Sequence, residues 1–572
     1  MRGSSQVPRT GRELLALCLA TICIATACSP GGSSTPRTAG WFVDATAEVG
    51  LDFVHETGAT GSLHLPEIVG SGAALFDYDG DGDLDVYLTS GNFDLGPDPA
   101  APRPVNRLFR QATDGTFADV TTESGLGDAA YGIGVAVGDV DNDGDVDVYL
   151  SNFGPDLLYR NRGDGSFSDD SDAAGIRVDG FSCSAVFCDY DLDGFLDLYV
   201  TQYVRYDPDQ QCSNSSGRRD YCSPRAFNPV PDVLLHNNGD GTFTDVSDVA
   251  GIGGLAAAGL GVVCEDLDQD GLPDFYTAND QYPNHLWINQ GDGTFREQAL
   301  LLGAAYNLEG RAEAGMGVVA ADLDGDADLD LFVTHLGGQT NTLYRHLGRG
   351  LFEDATGASG LAQSSLPYTG FGAVAFDAEL DGDLDLLVAN GRVFRGVANP
   401  RTTVPVPWSH FAEPNQFLLN RGGGRYVPMP DLGSDFVGPV EVSRSLAMGD
   451  VDGDGDVDIL LGNTQSAARL YRNEAPRAGH WLIVRALDPR LHRDAIGASL
   501  SLTIGGRRVT RTVTRGFSYL SSSDPRPHFG LGPVSEVGPI EIRWPDGLVE
   551  AFDVPEVDRV WTLLRGEGTK LP

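Results

Sequence analysis

The stretch "DYDGDGDLD", Asp77 to Asp85, sets five carboxylates within nine residues, and close copies of it return six times. They are "DVDNDGDVD" (139–147), "DYDLDGFLD" (189–197), "DLDQDGLPD" (266–274), "DLDGDADLD" (322–330), "DAELDGDLD" (377–385) and "DVDGDGDVD" (450–458). Unpaired like charges at this density repel one another, so each copy calls for a cation. In D-x-D-x-D-G-x-x-D the carboxylates stand at positions 1, 3, 5 and 9, position 7 offers a backbone carbonyl, and glycine at position 6 permits a sharp turn. Calcium takes about six to eight hard oxygens, which such a loop supplies, whereas magnesium prefers to keep its waters. Random acidic surface does not fix carboxylate spacing seven times.

The expected ligands follow from the register, for up to seven calcium ions. In the first loop they are the side chains of Asp77, Asp79, Asp81 and Asp85, with Asp83 through its carbonyl. The second offers Asp139, Asp141, Asp143, Asp145 and Asp147, and the third Asp189, Asp191, Asp193, Phe195 and Asp197. Phe195 stands at position 7, which is harmless if only its carbonyl ligates. The fourth offers Asp266, Asp268, Asp270, Leu272 and Asp274, and the fifth Asp322, Asp324, Asp326, Asp328 and Asp330. In the fifth, Ala327 replaces the turn glycine and should strain the loop. The sixth offers Asp377, Glu379, Asp381, Asp383 and Asp385, with Glu379 one methylene longer than Asp; the seventh offers Asp450, Asp452, Asp454, Asp456 and Asp458. Loops one, two and seven are the best formed on sequence.

Around each loop the chain repeats one order of strands. A Gly/Ala-rich apolar run ("GSGAALF", 70–76; "GIGVAVG", 132–138) precedes the loop, and a second apolar run ("VYLTS", 86–90; "LFVTH", 331–335) follows it. A third reads "NRLFR", "DLLYRN", "HLWIN" or "TLYRH"; a "GDGT" or "GDGS" turn then leads to a short fourth such as "FADVT". Glycine at positive φ makes such turns tight. Four antiparallel strands at a period of 50 to 77 residues predict the blades of a β-propeller. The seventh copy has no fourth strand, and "WFVDATAEVG" (41–50) is a fourth strand standing before the first copy. Joining the two closes a seven-bladed ring over 41–476 and leaves no exposed sheet edge.

Composition agrees. Asp+Glu number 82 against Lys+Arg 39, for a formal charge of −43, and 33 of those acids lie in the seven windows. With no basic stripe to offset that charge, nucleic acid is excluded as a partner. At the start, Arg2, Arg9 and Arg12 precede the apolar run "LLALCLATICIATA" (14–27), which is too short for an ordinary membrane span. "ATAC" followed by "SPGGSSTP" resembles a bacterial lipoprotein signal, with Cys28 as the lipidated residue and 29–40 as a flexible linker. The alternative is a plain secretory signal. Either one implies export, to an outer-membrane or cell-surface position or beyond, with membrane contact only through the lipid. Cys212 and Cys222, ten apart in a polar insertion, suit a disulfide in an oxidising compartment. For Cys183, Cys188 and Cys264 the sequence leaves open a strand-to-strand bridge or three buried thiols.

The seven units resemble the FG-GAP/VCBS class of propeller repeats, found in integrin α heads and bacterial surface proteins. Residues 477–572 are similar to the ASPIC/UnbV domain of the cartilage acidic protein family, on "IGA", "GFSYLSSSD", "HFGLG" and "IRWPDG". The resemblance implies an all-β chain, a seven-bladed propeller with calcium loops followed by a small β domain, and a calcium-binding extracellular module. Read on its own, the tail has period-2 strands at 480–487, 498–504, 508–514 and 539–545. It also carries Arg507, Arg508, Arg511 and Arg515, a basic set able to dock on the acidic loops.

Three functions stay in view. One is a monomeric calcium-binding scaffold that recognises a protein or glycan through the insertions 92–105, 202–231 and 396–416, with Tyr203, Tyr206 and Tyr221 as anchors. On the plainer reading those insertions only cover a neighbouring blade. The second is a calcium-dependent polysaccharide lyase or hydrolase, for which His410 and Glu413 are the one pair worth inspecting. The third is a purely structural envelope component. "RGD" at Arg162–Asp164 sits inside the repeated "NRGDGSF" turn and is read as a turn.

Overall fold

The computed structural model describes residues 40–92 and 103–571. The leader with Cys28, the linker up to residue 39, and residues 93–102 of the first insertion lie outside the described residues.

Each acidic loop joins the first two strands of a four-stranded antiparallel sheet. The first unit runs Ala73–Phe76, Asp85–Leu88, Arg107–Gln111, Phe117–Asp119. The second runs Tyr131–Gly138, Asp147–Pro155, Leu157–Asn161, Phe167–Asp169. Units three to six repeat the order from first strands at Asp179–Cys188, Gly259–Glu265, Val318–Ala321 and Gly370–Phe376. The seventh takes Ser443–Gly449, Asp458–Asn463 and Arg469–Asn473 from one end of the chain and Phe42–Asp44 from the other, with Phe42 opposite Asn473. Each first strand lies against the first strand of the next unit, and the seventh against the first.

Small residues on those strands let them approach. A Cβ on Gly72 would stand 2.9 Å from Gly134 Cα, Ile133 O and Leu520 O, closer than side-chain carbons pack. Leu520 belongs to the tail, whose segment Phe517–Asp524 enters the space between the first strands. Ser521–Ser522 pair in parallel with Ala73–Ala74. Ser518 exchanges backbone hydrogen bonds with Val318, and Tyr519, wholly buried, donates its hydroxyl to Val69 O at 3.2 Å. Serine hydroxyls satisfy backbone groups that a crowded axis leaves unpaired: Ser521 Oγ donates to Leu446 O, and Ser184 Oγ accepts from Leu520 N–H.

The tail builds one sheet from Ser499–Ile504, Arg507–Thr512, Ile540–Arg543, Val549–Phe552 and Thr569–Lys570. A second sheet centres on His480–Asp488, paired with His528–Gly532 and, in parallel, with Arg559–Leu564. Leu482, Leu500, Phe529, Ile542 and Trp544 form its core. Cys188 and Cys264 bridge the ends of the first strands of units three and four with Cα atoms 6.4 Å apart; Cys183 is free and buried. Cys212 and Cys222 form a second disulfide.

Candidate metal centres

The acidic loops fold alike because each carboxylate answers a particular backbone donor. Position 1 closes the turn: Asp77 accepts from Gly80 N–H at 2.8 Å and Gly82 N–H at 3.0 Å, and Asp450 does the same with Gly453 and Gly455. Position 5 accepts from the position-7 N–H in all seven loops, as Asp81 from Asp83, Asp193 from Phe195 and Asp270 from Leu272. The position-7 side chain then faces the hairpin turn of its own unit. A Cβ on Gly239 would meet the Phe195 ring at 2.8 Å, and one on Gly291 would meet Leu272 at 3.3 Å. Phe195 and Leu272 therefore keep their backbone placement without crowding the carboxylates.

Position 9 is buried in every loop, from 0 to 1% exposed at Asp85, Asp147, Asp197, Asp274, Asp330, Asp385 and Asp458. One oxygen accepts from the N–H of position 2 and the other from an N–H on the third strand; for Asp85 these are Tyr78 at 3.1 Å and Gln111 at 2.8 Å. Burial nonetheless pushes these carboxyls up, to about 8 at Asp85, Asp147, Asp274 and Asp330 and about 9 at Asp197. Asp385 is likewise raised well above the usual carboxylate range, through burial and then the charge of Glu379 beside it. Each loop thus gathers buried acids whose ionised forms are costly to desolvate, and the loops differ in how much positive charge stands near them.

Positions 1, 3 and 9 converge. Carboxylate oxygens of Asp77, Asp79 and Asp85 all lie within 4.8 Å of one another, and so do those of Asp139, Asp141 and Asp147, of Asp189, Asp191 and Asp197, and of Asp266, Asp268 and Asp274. Asp189 Oδ1 and Asp456 Oδ1 are buried with no hydrogen-bond partner among the described residues. An all-oxygen, carboxylate-rich donor set with orphaned buried oxygens fits calcium and would supply it with charge compensation on binding. Ala327 has φ +76°, so the fifth loop holds a side chain in the left-handed region where the other six place glycine.

Third-strand ends carry a feature that sequence reasoning missed. The residue whose N–H meets position 9 also sends its side-chain amide to the position-2 carbonyl of the preceding unit. Asn161 reaches Tyr78 O at 2.9 Å, Asn237 reaches Val140 O at 2.7 Å, Asn289 reaches Tyr190 O at 2.8 Å, and Asn420 and Asn473 do likewise. In unit one Gln111 reaches Val451 O of unit seven at 2.8 Å. The signal was visible as the last letter of "LYRN", "LLHN" and "LWIN".

The basic tail residues divide. Arg507 binds Gly382 O and Asp383 of the sixth loop, and the charge of buried Arg511 acts on Asp322 and Asp377. Arg508 instead pairs with Glu541 and Arg515 with Asp494, both within the tail. Arg493 was not anticipated; it donates to Asn142 Oδ1 at 2.8 Å and Gly194 O at 3.1 Å, between the second and third loops.

The second and third insertions pack on one another at the opposite ends of the first strands. Tyr221 stacks edge-on to Phe411 at 5.4 Å and donates to Glu67, and Arg395 N–H donates to Asp220. Tyr203 and Tyr221 are 3% exposed and Tyr206 is half-buried, so the expected anchors serve as packing, as the covering role required. His410 and Glu413 are each engaged elsewhere, His410 with Gly396 O and Glu413 with Arg392 and Thr369 N–H. The "RGD" residues form the turn between Leu157–Asn161 and Phe167–Asp169.

With loops and sheets placed, the FG-GAP-like repeat model matches residues 77–150, 139–200, 214–277, 266–333 and 322–388, together more than half the chain. The chain belongs to the FG-GAP-like repeat family. A further FG-GAP repeat matches 443–475, and the ASPIC and UnbV domain matches 488–570. Cartilage acidic protein 1 is a homologue: the Mus musculus protein is 26% identical over 346 residues, 57% of this chain and 49% of its own length. The Homo sapiens protein is 26% identical over 353 residues, 58% of this chain and 49% of its own. The chain spans about half the length of these relatives. Among solved structures, an Agrocybe aegerita lectin that recognises non-reducing terminal N-acetylglucosamine aligns at 17% identity, TM-score 0.39, over 72% of this chain and 90% of that one.

Proposed function

We propose that the chain is a seven-bladed propeller clamped by calcium at its seven acidic loops, working outside the cytoplasm as a monomeric recognition or adhesion module. The observation that carries this is the repeated convergence of positions 1, 3 and 9 on a buried carboxylate that also joins consecutive strands. The cyclic contact of first strands, the pairing of Phe42–Asp44 with Arg469–Asn473, and the Gln111-to-Val451 bond support ring closure. Bound calcium would supply charge compensation, and the carboxylates would then tie two strands of each blade to one point, with Arg507 joining the tail to the sixth loop. Two disulfides suit an oxidising compartment, and the leader ending at Cys28 suits export with a lipid anchor.

Recognition then belongs to the rims of the packed insertions rather than to their buried tyrosines. Val397 and Val406 are 88% and 76% exposed in the third insertion, and the polar residues 207–219 of the second are largely exposed as well. Their ligand would be a protein or a glycan. The test is binding of the mature protein to arrayed glycans and extracellular polymers, with calcium or with chelator. Calcium-dependent binding that Val397→Glu plus Val406→Glu abolishes without lowering Tm is expected; binding indifferent to both refutes the reading.

A further inference from the structure

The seven loops also differ in a residue that faces them from the third strand. The third-strand residue just before the stapling position faces the loop of its own unit. It is Arg110, Arg160, His236, Ile288, Arg345, Leu419 and Arg472 in units one to seven. In unit two the side chain of Arg160 is only 3% exposed and lies between two expected ligands, 3.1 Å from Asp141 Oδ2 and 3.3 Å from Asp147 Oδ2. A guanidinium thus already sits on carboxylates that calcium would use. Arg472 stands 3.3 Å from Asp452, and His236 3.1 Å from Asp197 and 3.5 Å from Asp191. Arg345 only reaches 4.0 Å from Asp324, held away by Glu353.

Unit four is the contrast. Ile288 is buried at the same place, and the largest charge effects on Asp266, Asp268 and Asp274 come from one another and from Asp270. Its loop keeps Gly271 at the turn and aspartate at all four side-chain positions. Unit six shares an apolar residue, Leu419, but has Glu379 at position 3 and feels Arg421 and Arg507.

We propose that this third-strand residue grades the calcium sites: the fourth loop binds tightest, and Arg160 makes the second loop, intact in its ligands, a weak one. The proposal rests on the calcium reading above. A fixed positive charge a few ångströms from a divalent ion opposes binding by about tenfold or more even with water-like screening. Sequence alone ranks the second loop among the best, because the counter-charge comes from another strand.

Hydrogen–deuterium exchange of the mature protein across buffered free-calcium concentrations reads each loop separately. Residues 266–274 should gain protection at about tenfold or more lower free calcium than 139–147. Arg160→Leu, which installs the residue type unit six already accepts, should lower the midpoint of 139–147 about tenfold and leave 266–274 unmoved. Arg160→Gln is the second variant should the first fail to fold, and Ile288→Arg should raise the midpoint of 266–274. Equal midpoints in the wild type, or an unmoved 139–147 in both Arg160 variants, overturn the grading while leaving calcium binding intact. If no loop responds to calcium in any variant, the calcium reading itself falls.

Discussion

Units two and five share one strand order and one loop register, yet unit two is closed at three points where unit five is not. At the loop turn, unit two has Gly144 and unit five has Ala327 at φ +76°. At the third-strand end, Asn161 reaches back to Tyr78 O of unit one, whereas His346 turns its Nε2 to Gly350 N–H and leaves buried Nδ1 without a hydrogen-bond partner, 3.6 Å from Asp328. At the buried position-9 carboxylate, Asp147 has Arg160 beside it and Asp330 has only backbone donors. The difference teaches that the repeat's backbone tolerates variation, while six of the seven seams between neighbouring units add a strand-end amide to their other contacts. Units four and five meet without one.

The largest effect expected from breaking this comparison is at position 9. Asp147→Ala strands two buried N–H groups and deprives Arg160 of a partner, so about 4 kcal/mol of stability should be lost. Asp330→Ala strands two N–H groups only and should cost about 2–3 kcal/mol. Urea melts in chelator, where metal loss is common to both, check the order; equal costs would deny Arg160 its structural part.

A pH window separates the units next. Asp156, 2% exposed, accepts from Tyr149, Ser182 and Asn152 N–H in unit two, where unit five uses Asn341 for His335 N–H. Burial lifts the Asp156 carboxyl to about 7. Its folded pKa lies above the unfolded one, so its contribution is full below about pH 4 and is lost as pH rises through 7. Asp156→Asn has nothing to ionise and should gain about 2 kcal/mol relative to wild type between pH 5 and pH 8. Parallel stability curves for the two proteins would contradict this.

Smaller changes address the seam and the turn. Asn161→Ala removes the staple and should cost about 1–2 kcal/mol, while His346→Asn supplies one and should gain about 1 kcal/mol. Thermal melts of the pair decide whether the amide matters in both directions. Ala327→Gly relieves the left-handed alanine and should stabilise by about 0.5–1 kcal/mol, less than any other change here.

The loops, the strand order and the N-terminal strand that pairs with Arg469–Asn473 were legible in the sequence because charge spacing and apolar runs are local signals. The tail strands were legible for the same reason. What escaped was carried by contacts between distant residues. "GFSYLSSSD" has no periodicity to announce that Tyr519 enters the space between the first strands, and nothing near Tyr221 in the chain foretells Phe411. The staple amides look like ordinary polar strand ends until the neighbouring unit is placed beside them. Arg507 and Arg508 look alike by charge, yet alternation along the strand turns Arg508 to Glu541 instead of the loops.

Calcium content of the mature protein, measured together with Tm in calcium and in chelator, tests the central claim most directly. The account expects four to seven bound ions per chain, with the fourth loop the last to empty, and a chelator-induced fall in Tm of more than about 10 °C. Zero or one ion with unchanged melting would contradict it.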